Sequence, residues 1–126
     1  MILIIGGVYQ GKLAYTQNRF KVANDQIYFC NAEDTAMPQS KAVIYEIDRW
    51  ILALVQAGMD VAIEVEKFAA ANQDAVIICN DISCGVVPID PVMRKWREAV
   101  GRATARLAQQ SDEVIRLFCG IPSRLK

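Results

Sequence analysis

The chain has 126 residues, with 14 Lys+Arg balanced by 14 Asp+Glu, and its residues are 53% hydrophobic and 22% charged. That length predicts one domain over residues 1–126 with a core of its own, and the composition excludes a disordered chain. Zero net charge argues against a general binder of nucleic acid or of a membrane surface, which would carry a basic excess.

There is no histidine. Ser–His and Cys–His nucleophile pairs, a histidine general base and imidazole metal ligands are all excluded. Any enzymatic chemistry must run on lysine, carboxylates, backbone amides and a bound metal. Cys30, Cys79, Cys84 and Cys119 form no C-x-x-C pair, and three of them lie in or beside apolar runs, as reduced thiols do. This predicts neither a disulfide framework nor a four-thiolate zinc site, and a reducing, cytoplasmic setting. Met1–Ile5 is too short an apolar run for a signal peptide or membrane span.

In chain order, the first expected strand is Ile2–Ile5, followed by helical spacing over Leu13–Val22. Gln26–Cys30 and Ala42–Tyr45 are the next strands, with Asn31–Lys41 between them showing no helical pattern. That connection is unusually short for a parallel crossover. Arg49–Gln56 and Val61–Ala71 read as helices, the latter with Val61, Val65, Phe68 and Ala69 on one stripe and Glu64, Glu66 and Lys67 facing away. Ala75–Cys79 is the fourth strand.

The strongest helix is Pro91–Gln109, with Asp90 as N-cap and Pro91 in the first turn. Val92, Trp96, Val100, Ala103 and Leu107 line its apolar face, and Arg94, Arg97, Arg102 and Arg106 form mainly a solvated one. Val114–Cys119 is the last strand. Runs this short, apolar and β-branched suit a parallel sheet covered on both faces, so the expectation is a three-layer α/β fold with about five mostly parallel strands.

The segment Gly6-Gly7-Val8-Tyr9-Gln10-Gly11-Lys12-Leu13 fits G-x-x-x-x-G-K at the first strand–helix turn. Glycines let the backbone wrap a phosphate, amide N–H groups and the helix N-terminus attract it, and Lys12 reaches the β/γ-phosphates. Leu13 departs from the Ser or Thr that ordinarily ligates Mg²⁺. The alternative is a strand–turn–helix junction whose glycines serve geometry alone. Glu46 ends an apolar strand where a metal-holding carboxylate is expected, with Asp48 as a competitor and a solvated strand-end carboxylate as the plain alternative. Asn80 and Asp81 follow the fourth strand, at the sheet edge where open α/β folds bind ligands.

These residues are similar to the adenosylcobinamide kinase/adenosylcobinamide-phosphate guanylyltransferase family of cobalamin assembly. The family's G-G-x-x-S-G-K-S loop is matched by Gly6 to Leu13. Its acidic strand end is matched by Val43-Ile44-Tyr45-Glu46, with a helix at Trp50 following. Its S-N-E-V-G-x-G-I-V-P segment reads here Cys79-Asn80-Asp81-Ile82-Ser83-Cys84-Gly85-Val86-Val87-Pro88. Ala108 to Val114 and Gly120-Ile121-Pro122-Ser123-Arg124-Leu125-Lys126 complete the likeness.

The resemblance implies a RecA-like P-loop fold, ATP or GTP as ligand, a cobinamide-like substrate, and a homo-oligomer, trimeric in the family. Lys12 and Glu46 would be the catalytic residues, with Glu46 holding Mg²⁺ through water. Gly6, Gly7, Val8, Tyr9, Gln10, Gly11, Lys12, Leu13, Asn80 and Asp81 would bind the nucleotide. Family members guanylylate a histidine between the second and third strands; this chain has none, and its Asn31–Lys41 connection is short, so that step is expected to be lost. Two readings follow: a phosphoryl-transferring enzyme, or an inactive member serving as a nucleotide-binding or assembly protein.

Overall fold

The computed structural model describes residues 1–39, 41–83 and 85–126. Its strands are β1 (Ile2–Gly6), β2 (Ile27–Phe29), β3 (Val43–Tyr45), β4 (Val76–Asn80), β5 (Glu113–Phe118) and β6 (Ile121–Arg124). Its helices are α1 (Lys12–Phe20), α2 (Ile47–Gln56), α3 (Val61–Ala71) and α4 (Pro91–Gln110). One six-stranded sheet runs β2-β3-β4-β1-β5-β6, parallel except for the β5–β6 pair.

The five expected strands and four expected helices are therefore present, and the count of about five strands is corrected to six. The added strand, β6, carries Pro122 and is exposed throughout. Proline removes a ladder donor, which an edge strand tolerates. Two consecutive residues of positive φ, Cys119 (51°) and Gly120 (74°), make the tight turn into it.

Alternate strand residues point to opposite faces of the sheet. Leu3, Ile44, Ile77, Cys79 and Val114 face α2, α3 and α4, where Trp50, Phe68 and Leu107 are wholly buried. Ile4, Val43, Ile78, Ile115 and Leu117 face α1, where Leu13, Tyr15 and Phe20 pack. Both faces of the central strands are thus covered, which accounts for their continuous apolar runs.

The long helix starts as its sequence dictates: the Asp90 carboxylate accepts from the N–H of Val92 at 2.8 Å, with Pro91 in the first turn. Its inward face is Val100, Ala103 and Leu107, whereas Val92 is exposed. Trp96 is half-buried, and its indole N–H donates to the Asp48 carbonyl at 2.7 Å. Arg94, Arg102 and Arg106 are solvated as expected, but Arg97 is not. Its guanidinium donates to the carbonyls of Ser83, Val86 and Gly85, tying down the loop before α4.

Among the described residues, the connection from β2 to β3 contains no helix. It is fixed by side chains of the helices beneath it instead. The Trp50 indole donates to the Thr35 carbonyl at 3.1 Å, and the Asn72 amide donates to the Pro38 carbonyl at 3.0 Å.

Candidate functional site

In the sheet order, β1 and β4 are neighbours, yet they feed helices on opposite faces: α1 on one side, α4 on the other. The chain therefore diverges at their carboxyl ends and leaves a crevice, the position where open α/β sheets take ligands. The Gly6–Leu13 loop, Glu46, Asp48, Asn80 and Asp81 are all at this edge.

Gly6 ends β1 because nothing larger fits. A Cβ there would come within 2.5 Å of the Leu117 carbonyl oxygen on β5. Gly11 supplies the left-handed residue (φ 86°) that turns the chain into α1. The loop is also pinned from the side. The Gln10 carbonyl accepts from the N–H of Gly120 at 3.1 Å, and its side-chain oxygen accepts from the N–H of Cys119.

Lys12 opens α1 and is only 4% exposed. Its ammonium donates to the Gly7 carbonyl at 2.6 Å, inside the curve of the loop. Burial lowers its pKa, and the nearby Asp48, Cys79 and Glu46 oppose that shift. Leu13 does not enter the loop; it packs against the sheet with Ile4 and Leu117. Tyr9 is 99% exposed.

Facing Lys12 is an acid–amide cluster. Asp48, in the first turn of α2, is buried, and its two oxygens accept from the backbone N–H of Asn80 at 3.0 Å and the Asn80 amide at 3.2 Å. Burial raises the Asp48 pKa, the two bonds from Asn80 pull it back, and Glu46 adds to the rise. The same Asn80 amide reaches Glu46 at 3.3 Å. Asp48, weighed above only as a competitor to Glu46, is therefore the better buried of the two, a distinction that depends on α2 beginning at Ile47.

Glu46 caps α2 with φ 60°, and Tyr9 has φ 61°. Non-glycine residues held there store backbone strain, which collects at functional sites. The Asp81 N–H donates to the Gly6 carbonyl at 2.8 Å, and its carboxylate accepts from the N–H and hydroxyl of Ser83. It shapes the loop after β4, beside a cavity of about 180 Å³ bordered by Ile5, Asn80, Ile82 and Thr104. Cys84 of the same segment lies outside the described residues.

Among the described residues, no group of three acidic, Cys or His side chains could hold a metal ion by itself. Glu46 by itself would offer a divalent cation one carboxylate, a partial site. A roomier groove of about 580 Å³ lies between α3 and α4, bordered by Met59, Val61, Val65, Ala99 and Ala103, and includes none of these site residues. No helix among the described residues is long and apolar enough to cross a membrane.

Residues 39–125, more than half of the chain, match the family model described as cobinamide kinase / cobinamide phosphate guanyltransferase. The chain belongs to this family. Over 81 residues it is 30% identical to the bifunctional adenosylcobalamin biosynthesis protein CobU of Salmonella typhimurium, an alignment covering 63% of this chain and 45% of that protein. The chain thus spans about half the length of the curated relative it matches. Within this family member, Glu46, Asp48, Asn80 and Asp81 lie inside the matched residues, and the Gly6–Leu13 loop precedes them.

Proposed function

We propose that this chain is a P-loop protein of RecA-like architecture that binds ATP or GTP on the Gly6–Leu13 loop and transfers a phosphoryl group to a cobinamide-like alcohol in cobalamin assembly. The observation that carries the reading is the buried Lys12 ammonium, held inside the loop by Gly7 and faced by Asp48 and Glu46. A buried cation in a curve of backbone at a helix N-terminus is a site for a polyphosphate.

Entry of the nucleotide moves Lys12 from the Gly7 carbonyl to the β/γ-phosphates. The backbone of Gly7 to Lys12 then cradles the phosphates, with Val8, Tyr9 and Gln10 forming the loop's outer wall and Asn80 the crevice wall. The acceptor's hydroxyl oxygen attacks the γ-phosphorus, and the bond from phosphorus to the leaving diphosphate oxygen breaks. Glu46 is the carboxylate placed to take the hydroxyl proton. Asn80 orients it, and Asp48 keeps Asn80 in place. Mg²⁺, held by the phosphates and by Glu46 through water, would spread the phosphate charge when bound. Positioning and electrostatics carry the rate, so histidine is not required for this step. The guanylyl step through a histidine intermediate is closed to a chain without histidine.

The single domain over 1–126, the cytoplasmic setting and the homo-oligomer belong to the same reading. A second reading, a nucleotide-binding or assembly protein without turnover, is favoured by one observation: Leu13 occupies the hydroxyl position and is committed to the core. Incubation with ATP or GTP, Mg²⁺ and cobinamide, followed by mass spectrometry, separates the two. Cobinamide phosphate is the expected product. Nucleotide binding without that product supports the second reading.

A further inference from the structure

The edge strand β6 contributes little to the core, since all of its residues are exposed. The turn that leads into it, however, lies directly against the Gly6–Leu13 loop: a Cβ on Gly11 would come within 3.7 Å of the Gly120 Cα. Cys119 and Gly120 both have positive φ, and Phe118 pairs with Ile121 across them, as in a two-residue hairpin turn. Neither turn residue is paired in the ladder, so both N–H groups need another acceptor. Gln10 supplies both: its carbonyl accepts from Gly120 at 3.1 Å, and its side-chain oxygen accepts from Cys119.

Gln10 is half-buried and spans the loop. A Cβ on Gly7 would meet the Gln10 Cγ at 3.5 Å, so the side chain passes beside Gly7 and ends on the turn. The turn has a firm base. Its strand β5 lies next to β1 with Leu117 buried, and at the far end of the hairpin the Leu125 N–H donates to the Val114 carbonyl at 2.8 Å. The Lys126 ammonium donates to the Ala108 and Gln109 carbonyls, both at 3.1 Å, which ties that end to α4.

We infer that Gln10 is a positioning residue, which holds the Gly6–Leu13 loop in its ligand-ready curve by fastening it to the Cys119–Gly120 turn. The inference rests on the nucleotide-binding part of the reading above. Val8 and Tyr9, at the crest of the loop, are exposed, so core packing does not fix them. A loop fixed in advance loses less freedom when a polyphosphate arrives, and affinity gains accordingly. The Gln10 side-chain oxygen is committed to the turn, so it acts on the ligand through the backbone amides on either side of it. Gln10 stands where the family's loop has serine, whose oxygen sits directly on Cβ and has less reach.

Gln10→Met keeps the length of the side chain and its packing on Gly7 but removes the acceptor, whereas Gln10→Glu keeps an acceptor oxygen. Amide exchange and backbone nitrogen relaxation are read on the ligand-free chain, and ATP and GTP binding with Mg²⁺ by calorimetry. Gln10→Met is expected to expose the Cys119 N–H to exchange, to loosen Val8 to Gly11, and to weaken nucleotide binding about three- to tenfold, with the melting temperature unchanged. Gln10→Glu should restore the protection of Cys119. Cys119 exchange and loop mobility in Gln10→Met equal to those of the wild-type chain overturn the inference, as does an unchanged nucleotide affinity. A melting temperature that falls along with the affinity marks a merely structural role and overturns it too. If the wild-type chain binds neither nucleotide, it is the phosphoryl-transfer reading that fails, while exchange and relaxation in the free chain still decide whether Gln10 holds the loop.

Discussion

Asn80 holds both carboxylate oxygens of Asp48, one through its backbone N–H at 3.0 Å and the other through its side-chain amide at 3.2 Å. The pair locks the end of β4 to the first turn of α2 in a buried setting, and the same amide reaches Glu46. A buried carboxylate is tolerated only when it is hydrogen-bonded. Asn80→Ala leaves the backbone bond but strips Asp48 of its second donor. The expected cost is about 1–3 kcal/mol, seen as a lower Tm. Adding Asp48→Asn to that variant removes the buried charge and should recover part of the loss. If Asn80→Ala melts with the wild-type chain, the bridge is not holding these elements together.

Asp48 should also report its burial directly. Its folded pKa is raised from 3.8, first by desolvation. The folded state therefore takes up this proton at a higher pH than the unfolded chain does. The contribution of Asp48 to stability increases as pH falls through its folded pKa toward 3.8, and is constant below that. Glu113 runs the opposite way: its bond from Arg19 lowers its pKa, so its contribution is lost on acidification. Carboxyl carbon shifts followed against pH should give Asp48 a midpoint above 3.8 and Glu113 one below 4.5. An Asp48 midpoint below 3.8 would contradict its burial.

Gly6 is predicted to be the least replaceable glycine. Alanine there places a methyl group 2.5 Å from the Leu117 backbone oxygen, where no side chain can yield. Gly6→Ala should cost about 1–3 kcal/mol through overpacking. Gly101→Ala, where no atom lies within 4 Å of the added Cβ, is the control, and within α4 it should be neutral or stabilising. Equal melting temperatures for the two variants would refute the close approach of β1 and β5.

Arg97 makes a prediction about motion. Its guanidinium anchors three carbonyls of the Ser83–Val86 stretch. Arg97→Ala should leave the melting temperature nearly unchanged while raising proteolytic cleavage and amide exchange in that loop. Unchanged protection would mean that the loop is held by something else.

The sheet and helices were legible in the sequence because the strand runs are uniformly apolar and short, and α4 announces its start with Asp90-Pro91. β6 was not legible: Pro122 and the full exposure of Ile121–Arg124 remove both the donor pattern and the alternation that mark a strand. The loop and strand ends were legible, since Gly6, Gly11, Lys12, Glu46 and Asn80 sit at the junctions their spacing implied. The hydrogen bonds of Asp48 and Asp81 were not, because they turn on burial and on which N–H each carboxylate meets. Arg97 could not be told from its neighbours Arg94 and Arg102 by helical spacing; only the position of the preceding loop's carbonyls separates them.

The central claim is that Lys12 and its loop form a working polyphosphate site despite Leu13. It is tested most directly by calorimetric titration of ATP and GTP, with and without Mg²⁺, into the wild-type chain and Lys12→Ala. The account predicts saturable binding of at least one nucleotide, strengthened by Mg²⁺ and weakened at least tenfold in Lys12→Ala, about 1.4 kcal/mol or more. No heat of binding from the wild-type chain under either condition, or equal affinity in the variant, would contradict it.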